Sequence, residues 1–146
     1  MSFSALLGEF RRKFPRQGSF KLSPGGSIKA AVAEHDVPNE FGVYLISLIS
    51  GSRLDLVYVG KAGTVKASGS WKEQGIAKRL ANRQRRESRS IFFRRLIAER
   101  ELDGLHFEWF VTFNGETRVL PALAEAELLQ AYFNDHGRLP ELNECT

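Results

Sequence analysis

The hydrophobic positions of the first forty residues recur at helical spacing. Apolar side chains at positions 3, 6, 7, 10 and 14 predict an amphipathic helix that ends before Pro15. Further on, Ser27 is a suitable N-cap for a short second helix from Ile28 to Glu34. We therefore predict that residues 1–40 form a helical extension, separated from the rest of the chain by a Pro-Asn pair.

A different pattern begins at residue 41, where two apolar runs flank a Gly-Ser pair. A hairpin folded symmetrically about Gly51 pairs Tyr44 with Tyr58 and Gly42 with Gly60. Residues paired in this way share a face of the sheet, so the two phenols are predicted to stand side by side. Aromatic pairs also stabilise ordinary sheets, so the hairpin alone does not indicate a function.

The remaining periodic segments complete a small α+β domain. Alternation from Phe107 to Phe113 predicts a third strand, and a helix is expected from Pro121 to about Asp135. Between them, the spacing predicts a helix from about Gln74 to Glu87 and another that begins after Ser90. The predicted fold is a three-stranded antiparallel sheet flanked by helices over residues 41–146.

Composition places the chain among ordinary globular proteins. It has 146 residues, of which 42% are hydrophobic and 26% charged, which is typical of one folded domain. The single cysteine, Cys145, excludes an internal disulfide and a metal cage of several thiolates. No apolar run is long enough to span a bilayer, so we expect a cytoplasmic protein with no membrane partner.

Positive charge is concentrated in one segment. Residues 72–100 contain ten basic and three acidic side chains, a net +7 in a chain whose formal charge is +4. Such a local basic surface is typical of proteins that bind polyanions. Eight of the ten are arginines, whose planar guanidinium suits phosphate oxygens. A solvated helix face with no binding role is the alternative interpretation.

One carboxylate occupies an unusual position on the last predicted helix. Glu125 points to the middle of its apolar face, whereas Glu127 points in nearly the opposite direction. The apolar face is defined by Leu128, Leu129, Tyr132 and Phe133. An ionised carboxylate in such a place is costly unless it is paired or binds a metal. A structural salt bridge to an arginine and a metal site both remain open.

These residues occur in an order that resembles a known family. The succession Gly42-Val43-Tyr44, Tyr58-Val59-Gly60-Lys61, Arg79-Leu80, Glu125 and Asn143 resembles the GIY-YIG nucleases. The order is similar to that in the nuclease module of the bacterial excision-repair incision subunit and in some restriction enzymes. The resemblance runs from Phe41 to Asn143 and leaves the first forty residues unexplained. The spacing from glutamate to asparagine is longer here, so Glu127 remains an alternative to Glu125.

The resemblance implies hydrolysis of DNA phosphodiester bonds with the help of Mg²⁺ or Mn²⁺. It also assigns a role to each residue that matches. Tyr44 and Tyr58 line the site, with one of them near the attacking water; Gly42 and Gly60 shape it; Lys61 stands beside the phenols; Arg79 contacts the scissile phosphate; Glu125 ligates the metal; and Asn143 fixes the far wall by hydrogen bonds.

The basic segment supplies the predicted contacts with DNA outside this site. These are Lys78, Arg83, Arg85, Arg86 and Arg89. A nucleic-acid-binding or interaction module that has the same fold but does not cleave is the competing interpretation of the same basic surface.

Overall fold

The computed structural model describes the backbone of residues 1–72, 75–81, 83–84 and 87–144. It describes the side chains of these residues apart from 72, 83–84 and 87–90. The helices are α1 (Phe3–Lys13), α2 (Ile28–Glu34), α3 (Ile76–Leu80), α4 (Arg89–Arg100) and α5 (Pro121–His136). The strands are β1 (Gln17–Leu22), β2 (Phe41–Ser50), β3 (Arg53–Ala62), β4 (Thr64–Val65), β5 (Trp71–Lys72), β6 (Arg83–Gln84), β7 (Glu87–Ser88) and β8 (Gly104–Phe113).

The predicted α+β class is confirmed, but the prediction of three strands is wrong. In the described part of the chain the main sheet has four antiparallel strands in the order β1-β8-β2-β3. The additional strand, β1, pairs with β8 from Gln17 opposite Phe110 to Leu22 opposite Leu105. Phe20 and Leu22 bury their side chains on the sheet while their neighbours face solvent. The boundary after residue 40 stays a prediction, although β1 belongs to the sheet.

Helices cover both faces of this sheet and create two hydrophobic cores. On one face, side chains such as Tyr44 and Phe107 pack against α2, α3 and α4. On the other face, side chains such as Val43 and Val59 pack against α1 and α5. Strand β3 forms one edge of the sheet. Because α3 and α5 cover opposite faces and both contact β3, their side chains approach this strand from opposite sides.

The β2–β3 hairpin forms as predicted, but its register differs by two residues. Tyr44 lies opposite Gly60, and Tyr58 lies opposite Ile46. The predicted pairs Tyr44–Tyr58 and Gly42–Gly60 are therefore wrong; Gly42 faces Ala62. Half of the shift arises because the turn is centred between residues 51 and 52, since Ser50 pairs with Arg53. The other half comes from an irregularity at positions 46–47, which adds one residue to β3.

The predicted helix from Gln74 to Glu87 is also wrong in its extent. It is observed only as α3, which ends at Leu80, and β6 then pairs with β7 as a short ladder. From Asn82 to Ser90 the sequence has no apolar side chain with which to bury a helix face. Several arginines at helical spacing would repel one another there. Without tertiary packing, so short a helix does not propagate.

Tyr44 crosses β3 directly above Gly60, which explains the glycine. A Cβ at position 60 would lie 2.5 Å from Cζ of Tyr44 and 2.7 Å from Cε2 of Tyr58. Tyr44 is completely buried, so its ring has little room to move aside. The two phenol rings remain on one face of the sheet, with centroids 6.0 Å apart.

We expect Gly60→Ala to lower the free energy of unfolding by about 1–3 kcal/mol, because a methyl group overpacks a buried contact. Gly115→Ala is the matched control, since nothing lies within 4 Å of a Cβ at that position. The control should change the free energy by less than about 0.5 kcal/mol. Urea denaturation measures both, and equal midpoints for the two variants would contradict the role assigned to Gly60.

Candidate active site at the end of the edge strand

The tail of the chain closes the outer edge of β3 beside the two tyrosines. The side-chain amide of Asn143 donates to the carbonyl of Val59 and accepts from its N–H, both at 2.9 Å. Leu142 adds a backbone hydrogen bond to the carbonyl of Val57 at 2.8 Å. Asn143 thus makes hydrogen bonds that fix the segment between Tyr58 and Gly60, by pairing with its backbone in the manner of a neighbouring strand.

An ion pair attaches this tail to the rest of the molecule. The guanidinium of Arg100, at the end of α4, binds both carboxylate oxygens of Glu141. The pair increases the already high pKa of Arg100, chiefly through the hydrogen bond to Glu141. Because Glu141 lies two residues before Asn143, the ion pair restricts where the Asn143 amide can be placed.

Arg79 lies on α3 with its side chain half-buried. Its Nε is buried and has no hydrogen-bond partner among the residues that the structure describes. A buried N–H of a guanidinium without an acceptor is costly, so this atom is suited to a ligand oxygen. Lys78, the preceding residue, is exposed, and its assignment as a DNA contact stays a prediction.

Glu125 is half-buried on α5, and Glu127 is exposed, as the helical wheel predicted. Burial raises the pKa of Glu125, and the positive charges of Lys61 and Arg79 oppose this increase. Among the described residues Glu125 has no hydrogen-bond or ion-pair partner, so its interaction with both cations is purely through space. Its half-buried position therefore suits Glu125 better than Glu127 to the role of metal ligand that the resemblance implies. In the described part of the chain, Glu125 forms no direct salt bridge to Arg79.

The sequence-predicted residues approach β3 from two sides. Tyr44, Tyr58 and Gly60 share the face that α3 covers, whereas Lys61 points to the α5 face because side chains alternate along a strand. Lys61 is therefore not beside the phenols on their own face. Its Nζ donates to Oγ1 of Thr64 at 3.1 Å, a partner that the sequence did not suggest. Since β3 ends at the next residue, groups from the two faces can meet around the strand end.

The predicted DNA contacts can be placed only in part. Lys78 is exposed, whereas Arg85, Arg86 and the side chains of Arg83 and Arg89 lie outside the described residues.

Gly42 is a site of close approach between strands, because a Cβ there would meet the carbonyl oxygen of Phe110 at 1.9 Å. Its observed role is to allow β8 to pair closely with β2.

One hydrophobic prediction on α5 is wrong. Phe133 was expected on the buried face, but it is 48% exposed, whereas Leu128, Leu129 and Tyr132 are buried. Phe133 lies near the edge of the apolar stripe, where the packing of α1 against α5 decides which side chains are covered.

A cavity of about 660 Å³ lies elsewhere, between α1, the end of α5 and the turn of the hairpin. Three of the guanidinium groups around it are already bound to carboxylates. These pairs are Arg11–Glu108, Arg53–Asp55 and Arg100–Glu141. Carboxylates of the protein therefore already neutralise these three positive charges, which leaves them less suited to bind a ligand. The candidate site is placed around β3 instead.

The described residues hold no group of three or more histidine, cysteine, aspartate or glutamate side chains that would cage a metal. A single carboxylate is nevertheless compatible with Mg²⁺, which commonly keeps several waters and binds through one or two carboxylates and a substrate phosphate. Glu125, which has no partner within the described ranges, is a single carboxylate of this kind. In the described part of the chain, no helix combines the length and the hydrophobicity needed to cross a membrane.

Comparison with known proteins gives no relative. No family model matches the chain, and neither a curated protein nor a solved structure matches it significantly. The resemblance to the GIY-YIG nucleases therefore depends on the order of the motif residues themselves.

We expect Glu125→Gln to raise the melting temperature near pH 7 by about 1–3 °C, because it removes a half-buried, unpaired charge. The folded-state pKa of Glu125 is raised, so the folded protein binds this proton more tightly than the unfolded chain does. Wild-type stability from this group is therefore present in acid and is lost as the pH rises through the folded-state pKa.

The advantage of Glu125→Gln should accordingly vanish near about pH 3.5, where the carboxyl is protonated in both states. Glu127→Gln, on the exposed side of the same helix, is the control and should show no such pH-dependent difference. Calorimetry across pH measures both. A wild-type protein that is more stable than Glu125→Gln at pH 7 would mean that Glu125 has a stabilising partner.

Proposed function

We propose that this chain is a cytoplasmic, metal-dependent endonuclease of the GIY-YIG type that hydrolyses DNA phosphodiester bonds. The observation that supports it most is the environment of Glu125: a half-buried carboxylate that has no bonded partner among the described residues and lies within electrostatic reach of Lys61 and Arg79. A purely structural carboxylate would be expected to bind one of these cations directly.

Hydrolysis of a phosphodiester requires an attacking water, positive charge near the phosphate and stabilisation of the leaving oxygen. When bound to Glu125, Mg²⁺ or Mn²⁺ supplies positive charge and orients the leaving group. Arg79 contributes a second positive charge, and its Nε, for which the described residues offer no acceptor, would donate to a non-bridging phosphate oxygen. The guanidinium of Arg79 thus compensates the negative charge that develops on the phosphate in the transition state.

The two tyrosines are assigned different roles because their exposure differs. Tyr44 is completely buried beneath the helices, whereas Tyr58 is only partly buried. We therefore assign the contact with the attacking water to Tyr58 and a supporting role to Tyr44, whose ring packs against it. Asn143 keeps Tyr58 in place through the adjacent Val59.

Exposed cations would bind the DNA on either side of the cleaved bond. Lys78 precedes Arg79 on α3, and the exposed Arg94 lies on α4. Together with Arg83, Arg85, Arg86 and Arg89, which remain sequence-based assignments, they provide positive charge along residues 78–94. Contacts of this type bind phosphates without reading sequence and weaken as salt is added.

Nicking of supercoiled plasmid in the presence of Mg²⁺ or Mn²⁺ tests the proposal. We expect Glu125→Ala and Arg79→Ala each to reduce the nicking rate by about 100-fold or more, because each removes charge used in the transition state. Both variants should still bind DNA in EDTA, since the other exposed cations remain. Glu127→Ala is the control and should nick at the wild-type rate.

Two outcomes would count against the proposal. If both variants nick DNA as the wild type does, the site has been assigned wrongly. If the wild type binds DNA in a salt-sensitive way but gives no product with either metal, the chain is a non-cleaving module with the same fold.

A further inference from the structure

The helix that carries Arg79 is capped by a segment that precedes the hairpin. Three consecutive amide groups at the start of α3 donate to residues 38–40. The N–H of Ile76 donates to the carbonyl of Glu40 at 2.8 Å, and that of Ala77 to the carbonyl of Pro38 at 3.1 Å. The N–H of Lys78 donates to Oδ1 of Asn39 at 3.2 Å. These are groups that a helix leaves unpaired at its N-terminus.

The contact extends to the residue before the helix. A Cβ at Gly75 would lie 2.3 Å from the carbonyl carbon of Asn39, so only glycine permits the two backbones to approach so closely. Gly75 and the segment 38–40 thus form one unit, which we call the α3 clasp. Such an approach fixes the start of α3 in direction as well as in position.

The α3 clasp is in turn attached to the sheet. The guanidinium of Arg16 binds the carboxylate of Glu40, with Nε 2.7 Å from Oε1. The carbonyl of Arg16 accepts the N–H of Val111, in β8, at 2.9 Å. A path of direct contacts therefore runs from the central sheet through Arg16 and Glu40 to α3.

A five-residue helix needs such support to hold a side chain in place. Isolated helices of this length are not stable in water, and α3 buries only Ile76 and Leu80 among large side chains. Leu80 anchors its last turn, and the α3 clasp anchors its first. Arg79 lies between these anchors, one residue beyond the amide that Asn39 binds.

We propose that Asn39 is a positioning residue for Arg79, and that it acts through its hydrogen bond to the backbone of α3. This inference rests on the proposed nuclease function, since it supposes that Arg79 contacts the scissile phosphate. It gives part of the first forty residues a role in the activity, although the family motif begins only at the hairpin. Asn39 itself is exposed, so its substitution leaves the hydrophobic cores intact.

The test compares Asn39→Ala with Asn39→Asp, which retains an oxygen in the acceptor position. We expect Asn39→Ala to lower kcat for plasmid nicking about 10- to 100-fold with little change in KM, because Arg79 is displaced while the DNA-binding cations remain. Asn39→Asp should restore most of the rate. Ser27→Ala is the matched control: Ser27 caps α2 by accepting the N–H of Ala30, but α2 carries no site residue.

Two further measurements separate positioning from general damage. Amide hydrogen exchange should accelerate at residues 76–78 in Asn39→Ala and remain unchanged in β2 and β8. In an Arg79→Lys background, which retains the charge but not the guanidinium geometry, Asn39→Ala should reduce kcat much less than in the wild type, because the two changes affect one interaction.

The inference is overturned if Asn39→Ala keeps the wild-type kcat, if Ser27→Ala loses as much activity, or if exchange at residues 76–78 is unchanged. In each of these cases the proposed nuclease function still holds, provided that the wild-type protein nicks DNA. A wild type that nicks no DNA with either metal would overturn the proposed function, and this inference with it.

Discussion

The absence of a side chain at Gly60 is the constraint on which the candidate site depends. It allows the buried ring of Tyr44 to cross β3, and this crossing brings the two phenols together on one face. From the outer edge, Asn143 binds the backbone of Val59, the residue between Tyr58 and Gly60. The segment is thus held by packing from above and by hydrogen bonds from the side. Strand residues held in this way provide a more rigid support than a loop does.

The sequence predicted the strongly periodic elements well. Both long helices at the ends of the chain and strand β8 have repeating apolar positions that tertiary contacts only reinforce. Strand β1 was missed because its signal is two apolar residues, Phe20 and Leu22, alternating with polar ones. So short an alternation becomes a strand only when β8 offers its edge. The extent of α3 was overestimated because the chain beyond Leu80 resembles a helix in its spacing but has nothing to bury.

Details of the candidate site were predictable where they depend on one element and not where they depend on two. The orientation of Glu125 and Glu127 follows from the helical wheel of α5 alone, and the structure agrees with it. The hairpin register depends on the turn centre and on an irregularity within β3, and neither is visible in composition. The side of β3 on which Lys61 lies follows from alternation. The electrostatic effect of Lys61 on Glu125, in contrast, depends on how α5 packs against β3, which the sequence did not reveal. The capping role of Asn39 had a local signal, an asparagine after a proline, but its partner lies 39 residues away.

The environment of Glu125 is difficult to explain by stability. Burial raises the pKa of its carboxyl even though two cations act in the opposite direction, so desolvation outweighs their attraction. A chain selected only for stability has simple remedies, such as a glutamine at this position or an arginine close enough to form an ion pair. Arg79 instead has a buried Nε that finds no acceptor in the part of the chain that the structure describes. Among the described residues, a carboxylate and a guanidinium N–H within electrostatic reach of each other thus both lack a hydrogen-bond partner, an arrangement that suits a ligand able to satisfy both. A phosphate oxygen would satisfy the guanidinium and a divalent cation the carboxylate, and a metal-bound phosphodiester contains both.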